Sequence, residues 1–200
     1  DPWTATAAIV FIALGAGAAG AINMWYDRDI DLQMSRTMNR PLPAGRMQPG
    51  PALAFGIIMA LAAVSSMAYY VNLVSAALLL VTILYYVFVY TVWLKRLTPQ
   101  NVVIGGVSGA LPPVVGWASV TGGIDSGALS LFLIIFLWTP PHSWALALYR
   151  RGDYEAAGVP MLPVAAGVQA TKRRMMYYTA LLLPATLIPV AIGISGLVYA

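Results

Sequence analysis

The sequence predicts an all-α fold, a polytopic bundle of membrane-crossing helices, on three observations. Charge-free stretches long enough to cross a bilayer recur along the chain. The lysines and arginines fall only in alternate connections between those stretches. Of 200 residues, 60% are hydrophobic and 9% charged, against about 25% charged in a soluble domain, so there is too little polar surface for a water-soluble globule.

A hydrocarbon core about 30 Å thick takes about 20 apolar helical residues. Pro2 to Tyr26 makes a first span, rich in Ala and Gly. Met47 to Leu94 holds no charge over 48 residues, enough for two spans joined by a tight turn near Tyr70 to Asn72. Leu97 to Ile124 is the fourth, with Pro112 and Pro113 inside it, and Ser126 to Tyr149 the fifth, with Pro140 and Pro141 near its end. Met175 to Ala200 is the sixth and contains Pro184 and Pro189. Prolines in membrane helices mark kinks, because neighbouring helices and waters satisfy the freed carbonyls. Asp1-Pro2-Trp3 brings neither a starting Met nor a basic leader, and the chain stops in an apolar stretch, so a piece of a longer protein is expected.

Arg28, Arg36, Arg40 and Arg46 follow the first span, Lys95 and Arg96 the third, and Arg150, Arg151, Lys172, Arg173 and Arg174 the fifth. The positive-inside rule assigns these three connections to the cytoplasm or its equivalent, the matrix in a mitochondrion. The formal charge of +4 thus reports orientation, and nucleic acid is not expected as a partner. With no cysteine and one histidine, disulfides, thiolate metal sites and multi-histidine centres are excluded. The basic connections also hold Asp27, Asp29, Asp31, Asp153 and Glu155, leaving only Asp1 and Asp125 opposite. Orientation requires no acids, so the mixture points to a polyanion held through a divalent cation.

Asn23, Asp27 and Asp31 are four residues apart and stack on one face if the first helix continues. Like charges so placed repel unless a cation bridges them, and oxygen-only donors select a hard ion such as Mg²⁺, shared with substrate phosphates. The other reading is a solvated helix end paired with Arg28, Arg36 or Arg40. Arg36 and Arg40 also sit one helical turn apart, and their planar forks match phosphate oxygens. They equally suit anchoring to lipid head groups.

A second connection repeats the pattern. Tyr149 to Pro163 carries Arg150, Arg151, Asp153, Tyr154 and Glu155, then a Pro- and Gly-containing stretch, a weak sign of two related halves. Lys95 can reach a phosphate, and the aromatic run Tyr85 to Tyr90 before it can shield a developing allyl cation or form an interfacial belt. His142 follows Pro140-Pro141 and reads as a structural hydrogen-bonding residue, a haem-iron contact or a proton shuttle.

Three segments carry a family resemblance. Asn23 to Arg46, NMWYDRDIDLQMSRTMNRPLPAGR, resembles the first aspartate-rich motif of the protohaem IX farnesyltransferase (haem O synthase) family, in the UbiA prenyltransferase superfamily. Tyr90 to Trp117, YTVWLKRLTPQNVVIGGVSGALPPVVGW, resembles its middle segment, and Phe136 to Pro163, FLWTPPHSWALALYRRGDYEAAGVPMLP, its second signature loop.

The resemblance implies a UbiA-type bundle of nine spans, of which residues 1–200 form one domain carrying six, without the first span and the last two. It implies an integral protein of the bacterial or mitochondrial inner membrane that moves farnesyl from farnesyl diphosphate to a vinyl group of haem B, with water addition, to give haem O. Mg²⁺ is the implied cofactor, and haem A synthase or oxidase assembly proteins are implied partners. Asn23, Asp27 and Asp31 match the Mg²⁺-diphosphate motif, and Arg36, Arg40 and Lys95 the basic positions for diphosphate. The second loop keeps Asp153, with Arg150 and Tyr154, in place of the superfamily's multi-aspartate form, so a second complete metal site is not implied. Asp27, Asp31, Lys95 and Asp153 are the expected catalytic residues, with His142 added as a substrate contact. The alternatives are a UbiA-type enzyme for an aromatic quinone or chlorin precursor, a transporter, and a non-catalytic haem scaffold.

Overall fold

A computed structural model describes residues 1–196, 198 and 199. Among them every regular element is helical. α1 spans Pro2–Tyr26, α2 Arg28–Asp31 and α3 Pro49–Tyr70. α4 runs as α-helix over Leu73–Leu84 and continues as π-helix over Tyr85–Leu94. α5 is Asn101–Thr121, α6 Ser126–Tyr149, α7 Arg151–Ala156, α8 Leu162–Ala165 and α9 Gly167–Ala191.

Five of these, α1, α3, α4, α5 and α6, are long and apolar enough to cross a membrane. This matches the first five expected spans, including the turn after Tyr70. The sixth differs. α9 is helical, but it starts at Gly167, carries Lys172, Arg173 and Arg174 in its first turns and ends at Ala191, so it falls short of the five in uninterrupted apolar length. Leu197 and Ala200, at the end of that expected span, lie outside the described residues.

Pro112-Pro113 and Pro140-Pro141 lie inside unbroken helices, as expected of prolines whose freed carbonyls can be satisfied by neighbours. Asp1 and Asp125, the acids far from the basic loops, cap α1 and α6, Asp125 accepting from Gly127 N at 2.8 Å and Ala128 N at 3.3 Å. α5 ends at Gly122, whose φ of 76° lies in the left-handed region open to glycine.

Where apolar helices meet in lipid there is no hydrophobic gain from hiding leucine, so close approach of small residues drives packing. α1 lies against α3 and α5 in this way. A Cβ on Gly56 of α3 would come within 2.8 Å of Ile22 and 3.4 Å of the Ala18 carbonyl. α5 packs on α6 across Gly106, which faces Thr139. At one end of the bundle the C-termini of α1, α4 and α6 and the N-terminus of α5 bring the three basic connections together through the hydrogen bonds described next.

Candidate functional site

α1 breaks formally at Asp27, yet its hydrogen-bond ladder continues: Asp27 N donates to Asn23 O and Asp31 N to Asp27 O, both at 2.8 Å. The helical stacking of Asn23, Asp27 and Asp31 therefore holds, and all three are buried at 7%, 0% and 3% exposure. Two carboxylates out of water need counter-charges. Lys95 donates to Asp27 Oδ2, and Arg96 to Asp27 Oδ1 at 3.3 Å. Arg40 donates to Asp31 at 2.9 Å. The Asn23 amide nitrogen bonds Asp27 at 2.7 Å and Thr91 Oγ1 at 3.1 Å, leaving its oxygen as a further donor of electrons.

The π-helical stretch explains how α4 serves this cluster. At about 100° per residue an α-helix would put Tyr86 and Lys95 half a turn apart. With i→i+5 bonding, roughly 4.4 residues per turn, the same nine residues make about two full turns. Tyr86, Tyr90 and Lys95 then share one side, with Tyr86 and Tyr90 rings 5.4 Å apart. Single-turn π-bulges are frequent at functional sites; this segment has ten residues.

Arg96 forms a bidentate pair with Asp29, both bonds 2.7 Å, beside the Tyr26 ring at 5.0 Å. That bond holds the Asp29 carboxyl below its usual range, against the opposing pull of burial, and raises the guanidinium further above its own.

Arg36 and Arg40 depart from expectation. The segment after Asp31 consists of turns, so the two share no helical face. Arg40 turns back to Asp31, while Arg36 crosses to the second loop and donates to Tyr154 Oη at 3.1 Å. Ser35 donates to Asp153 at 2.7 Å and accepts from Arg150 at 3.1 Å, making a second tie between the loops. Asp153 thus pairs with Ser35, and among the described residues no three of Asp, Glu and His converge. Sequence reading gave no role to Thr91 or Ser35, because neither hydroxyl carries a pattern until the fold brings it to Asn23 or Asp153.

Two chambers lie between the helices that carry the cluster and their neighbours. A mostly apolar one of about 310 Å³ lies between α1, α4 and α5, lined by Ile12, Ala16, Gly20, Leu79 and Val115 among others. A more polar one of about 280 Å³ lies between α4, α5 and α6 and is edged by Arg36, Tyr90, His142 and Tyr154. Tyr86, Ser108 and Gly109 line both and mark their junction. His142 is exposed to the chamber, its ring stacked on Trp138 at 4.0 Å. Buried oxygen donors, cations and an apolar chamber are the parts needed to hold an amphiphile with an anionic head.

The UbiA prenyltransferase family profile matches residues 1–200. The protoheme IX farnesyltransferase of Parvibaculum lavamentivorans is 57% identical over 99% of this chain and 62% of its own length. That of Azorhizobium caulinodans is 57% identical over 99% of this chain and 64% of its own. The chain therefore spans somewhat less than two thirds of these curated relatives. A UbiA homolog from Archaeoglobus fulgidus, solved with DMAPP and Mg²⁺ bound, superposes with a TM-score of 0.75 at 17% identity, covering 98% of this chain and 69% of that one. A helical bundle with most of its acids gathered at one end agrees with a profile that runs the whole length of the sequence: this integral membrane chain belongs to the UbiA prenyltransferase family.

Proposed function

We propose that the protein of which this chain forms the core transfers the farnesyl group of farnesyl diphosphate to a vinyl carbon of haem B, with addition of water, giving haem O. The reading rests on one conjunction: a buried oxygen cluster ringed by cations, in a chain 57% identical to a protoheme IX farnesyltransferase.

The donor set suits Mg²⁺. It consists of an amide oxygen and carboxylates, with no nitrogen or sulfur ligand, and the ion would complete its shell with waters and diphosphate oxygens. Asn23, Asp27 and Asp31 would hold it, and Asp153 would act from the second loop. When bound, Mg²⁺ supplies charge neutralisation of the leaving diphosphate. Lys95, Arg96 and Arg40 pair with the carboxylates and would turn onto phosphate once Mg²⁺ replaced them as the counter-charge. Arg36 and Tyr154 edge the polar chamber where the two loops are tied, and Arg150 reinforces the tie through Ser35.

The apolar chamber takes the prenyl tail. Tyr86 lines the junction and Tyr90 the polar chamber beside it, where their ring faces stabilise the allylic cation as the C–O bond breaks. The polar chamber takes the edge of the acceptor carrying the vinyl group. Haem B and farnesyl diphosphate are the substrates, the bacterial or mitochondrial inner membrane is the setting, and the acidic end faces the cytoplasm or matrix.

Full-length protein in liposomes with Mg²⁺, haem B and farnesyl diphosphate should yield haem O by chromatography of extracted haems. Diphosphate release that requires an aromatic acceptor instead of haem would overturn the acceptor.

A further inference from the structure

Transfer to a vinyl group followed by hydration requires a group that takes a proton from water, and none of the cations around the diphosphate can do so. We propose that His142 is the general base for this hydration step. The assignment rests on the farnesyl-to-haem reading above.

The polar chamber offers guanidinium, phenol, aliphatic hydroxyl and one imidazole. Guanidinium stays protonated, and phenols and hydroxyls accept a proton from water poorly at neutral pH. Imidazole is the side-chain type suited to that transfer. The chain has a single histidine, and it stands on this chamber. Stacking on Trp138 at 4.0 Å and 21° fixes the plane of the ring while using neither ring nitrogen.

Two prolines supply the place for the water. Lacking N–H groups, Pro112 and Pro113 leave the carbonyls of Ser108 and Gly109, which line the chamber, without their i+4 donors. The acceptors freed at Ser108 and Gly109 face a cavity that His142 also lines and that is large enough for water, and so make a site for an ordered nucleophile.

The terminal vinyl carbon bonds to farnesyl C1, and diphosphate leaves with the C–O electron pair. The positive charge then sits on the vinyl carbon next to the porphyrin ring. Water oxygen bonds to that carbon, and its proton passes to the unprotonated nitrogen of His142, then to solvent. Without the base, the same cation loses a proton from the adjacent carbon and yields an alkene lacking the hydroxyl.

The test uses full-length protein in liposomes with Mg²⁺, haem B and farnesyl diphosphate, comparing wild type with His142→Phe and His142→Gln. His142→Phe keeps an aromatic ring for Trp138, and His142→Gln keeps polarity. Mass spectrometry of extracted haems gives the ratio of hydroxylated to dehydrated farnesyl haem, and diphosphate release is followed in parallel. The haem ratio is read per diphosphate released, so that a general slowing of transfer does not count as a change in it. The ratio should fall by about 10²-fold, the lower range for a positioned base. Added imidazole should restore part of it in His142→Gly. An unchanged ratio overturns the assignment, as does weakened haem binding with the ratio intact or joint loss of release and product in both folded variants. A wild type that makes neither haem product while releasing diphosphate to another acceptor removes the farnesyl-to-haem reading itself.

Discussion

Lys95 at the end of α4 donates to Asp27 at the end of α1, a contact across 68 residues that joins two of the three basic connections. Asp27 has no exposed surface, and the Lys95 side chain is 13% exposed. The pair is therefore poorly screened, and neither member can lose the other cheaply.

Asp27→Asn should cost about 3 kcal/mol of stability, since it strands Lys95 beside a neutral amide. Prenyl transfer should fall by at least about 10²-fold, because an anionic ligand for the Mg²⁺ that would neutralise the leaving group is lost. Asp31→Asn, whose partner Arg40 is more exposed, should lose similar activity with less destabilisation. Membrane insertion should persist in both. Turnover near wild type in either folded variant would remove that residue from the diphosphate site.

The division of labour was partly legible beforehand. Bilayer-length apolar stretches reported five of the crossings, because burial in lipid leaves its mark in composition. The i, i+4 spacing of Asn23, Asp27 and Asp31 reported their shared face, since α-helical geometry fixes it. The π-helical turns of α4 were not legible: hydropathy is the same for either winding, and the choice is made by tertiary packing. The helical face assumed for Arg36 and Arg40 failed for a related reason. Asp31 and Tyr154 draw the two guanidiniums apart, and Pro41 and Pro43 disfavour a regular helix after them.

Chelation should separate binding chemistry from fold. EDTA should abolish diphosphate release while leaving thermal stability in detergent within about 1 kcal/mol, because Lys95, Arg96 and Arg40 neutralise the carboxylates when no divalent ion is present. Mg²⁺ should restore release. A large loss of stability on chelation would mean that the cations do not serve as the stand-in charge.

The Asp29–Arg96 pair carries a pH dependence of definite sign. The Asp29 carboxyl is held below its usual value by Arg96, so its contribution is present above the unfolded value of about 3.9 and lost as pH falls through the lower folded value. The side chain is 57% exposed, so solvent screening limits the effect to about 1 kcal/mol or less. Asp29→Asn should thus be slightly less stable than wild type, by a constant amount, from pH 8 to about pH 5. The gap should close in stronger acid. A gap that widened on acidification would contradict the pairing.

Gly105 of α5 lies against the Tyr90 ring, where an added Cβ would come within 3.0 Å of Cγ and 3.1 Å of Cε2. A ring cannot yield there without moving the whole side chain, so Gly105→Ala should cost about 1–3 kcal/mol and slow transfer by shifting Tyr90. Gly116→Ala, in the same helix but lining neither chamber, is the control, since its Cβ would meet nothing within 4 Å. Equal effects of the two changes, in activity and melting temperature, would show that the Tyr90 contact is not what matters.

Gly20 of α1 lines the apolar chamber and also has nothing within 4 Å of its absent Cβ. A larger side chain there fills space instead of striking a neighbour at its root, so Gly20→Leu should fold normally. Its four carbons nearly equal one five-carbon isoprene unit. At about 0.8 kcal/mol per buried CH₂, excluding one unit removes up to about 4 kcal/mol of tail binding, reduced by whatever the tail recovers by bending. The variant should therefore lose at least about tenfold in kcat/KM for farnesyl diphosphate, while changing little toward geranyl diphosphate, which is one unit shorter. Competition between the two donors, scored by the mass of the prenylated haem, reads the ratio directly. An unchanged ratio in folded Gly20→Leu would place the prenyl tail outside this chamber and leave the apolar groove between α1, α3 and α4 as its path.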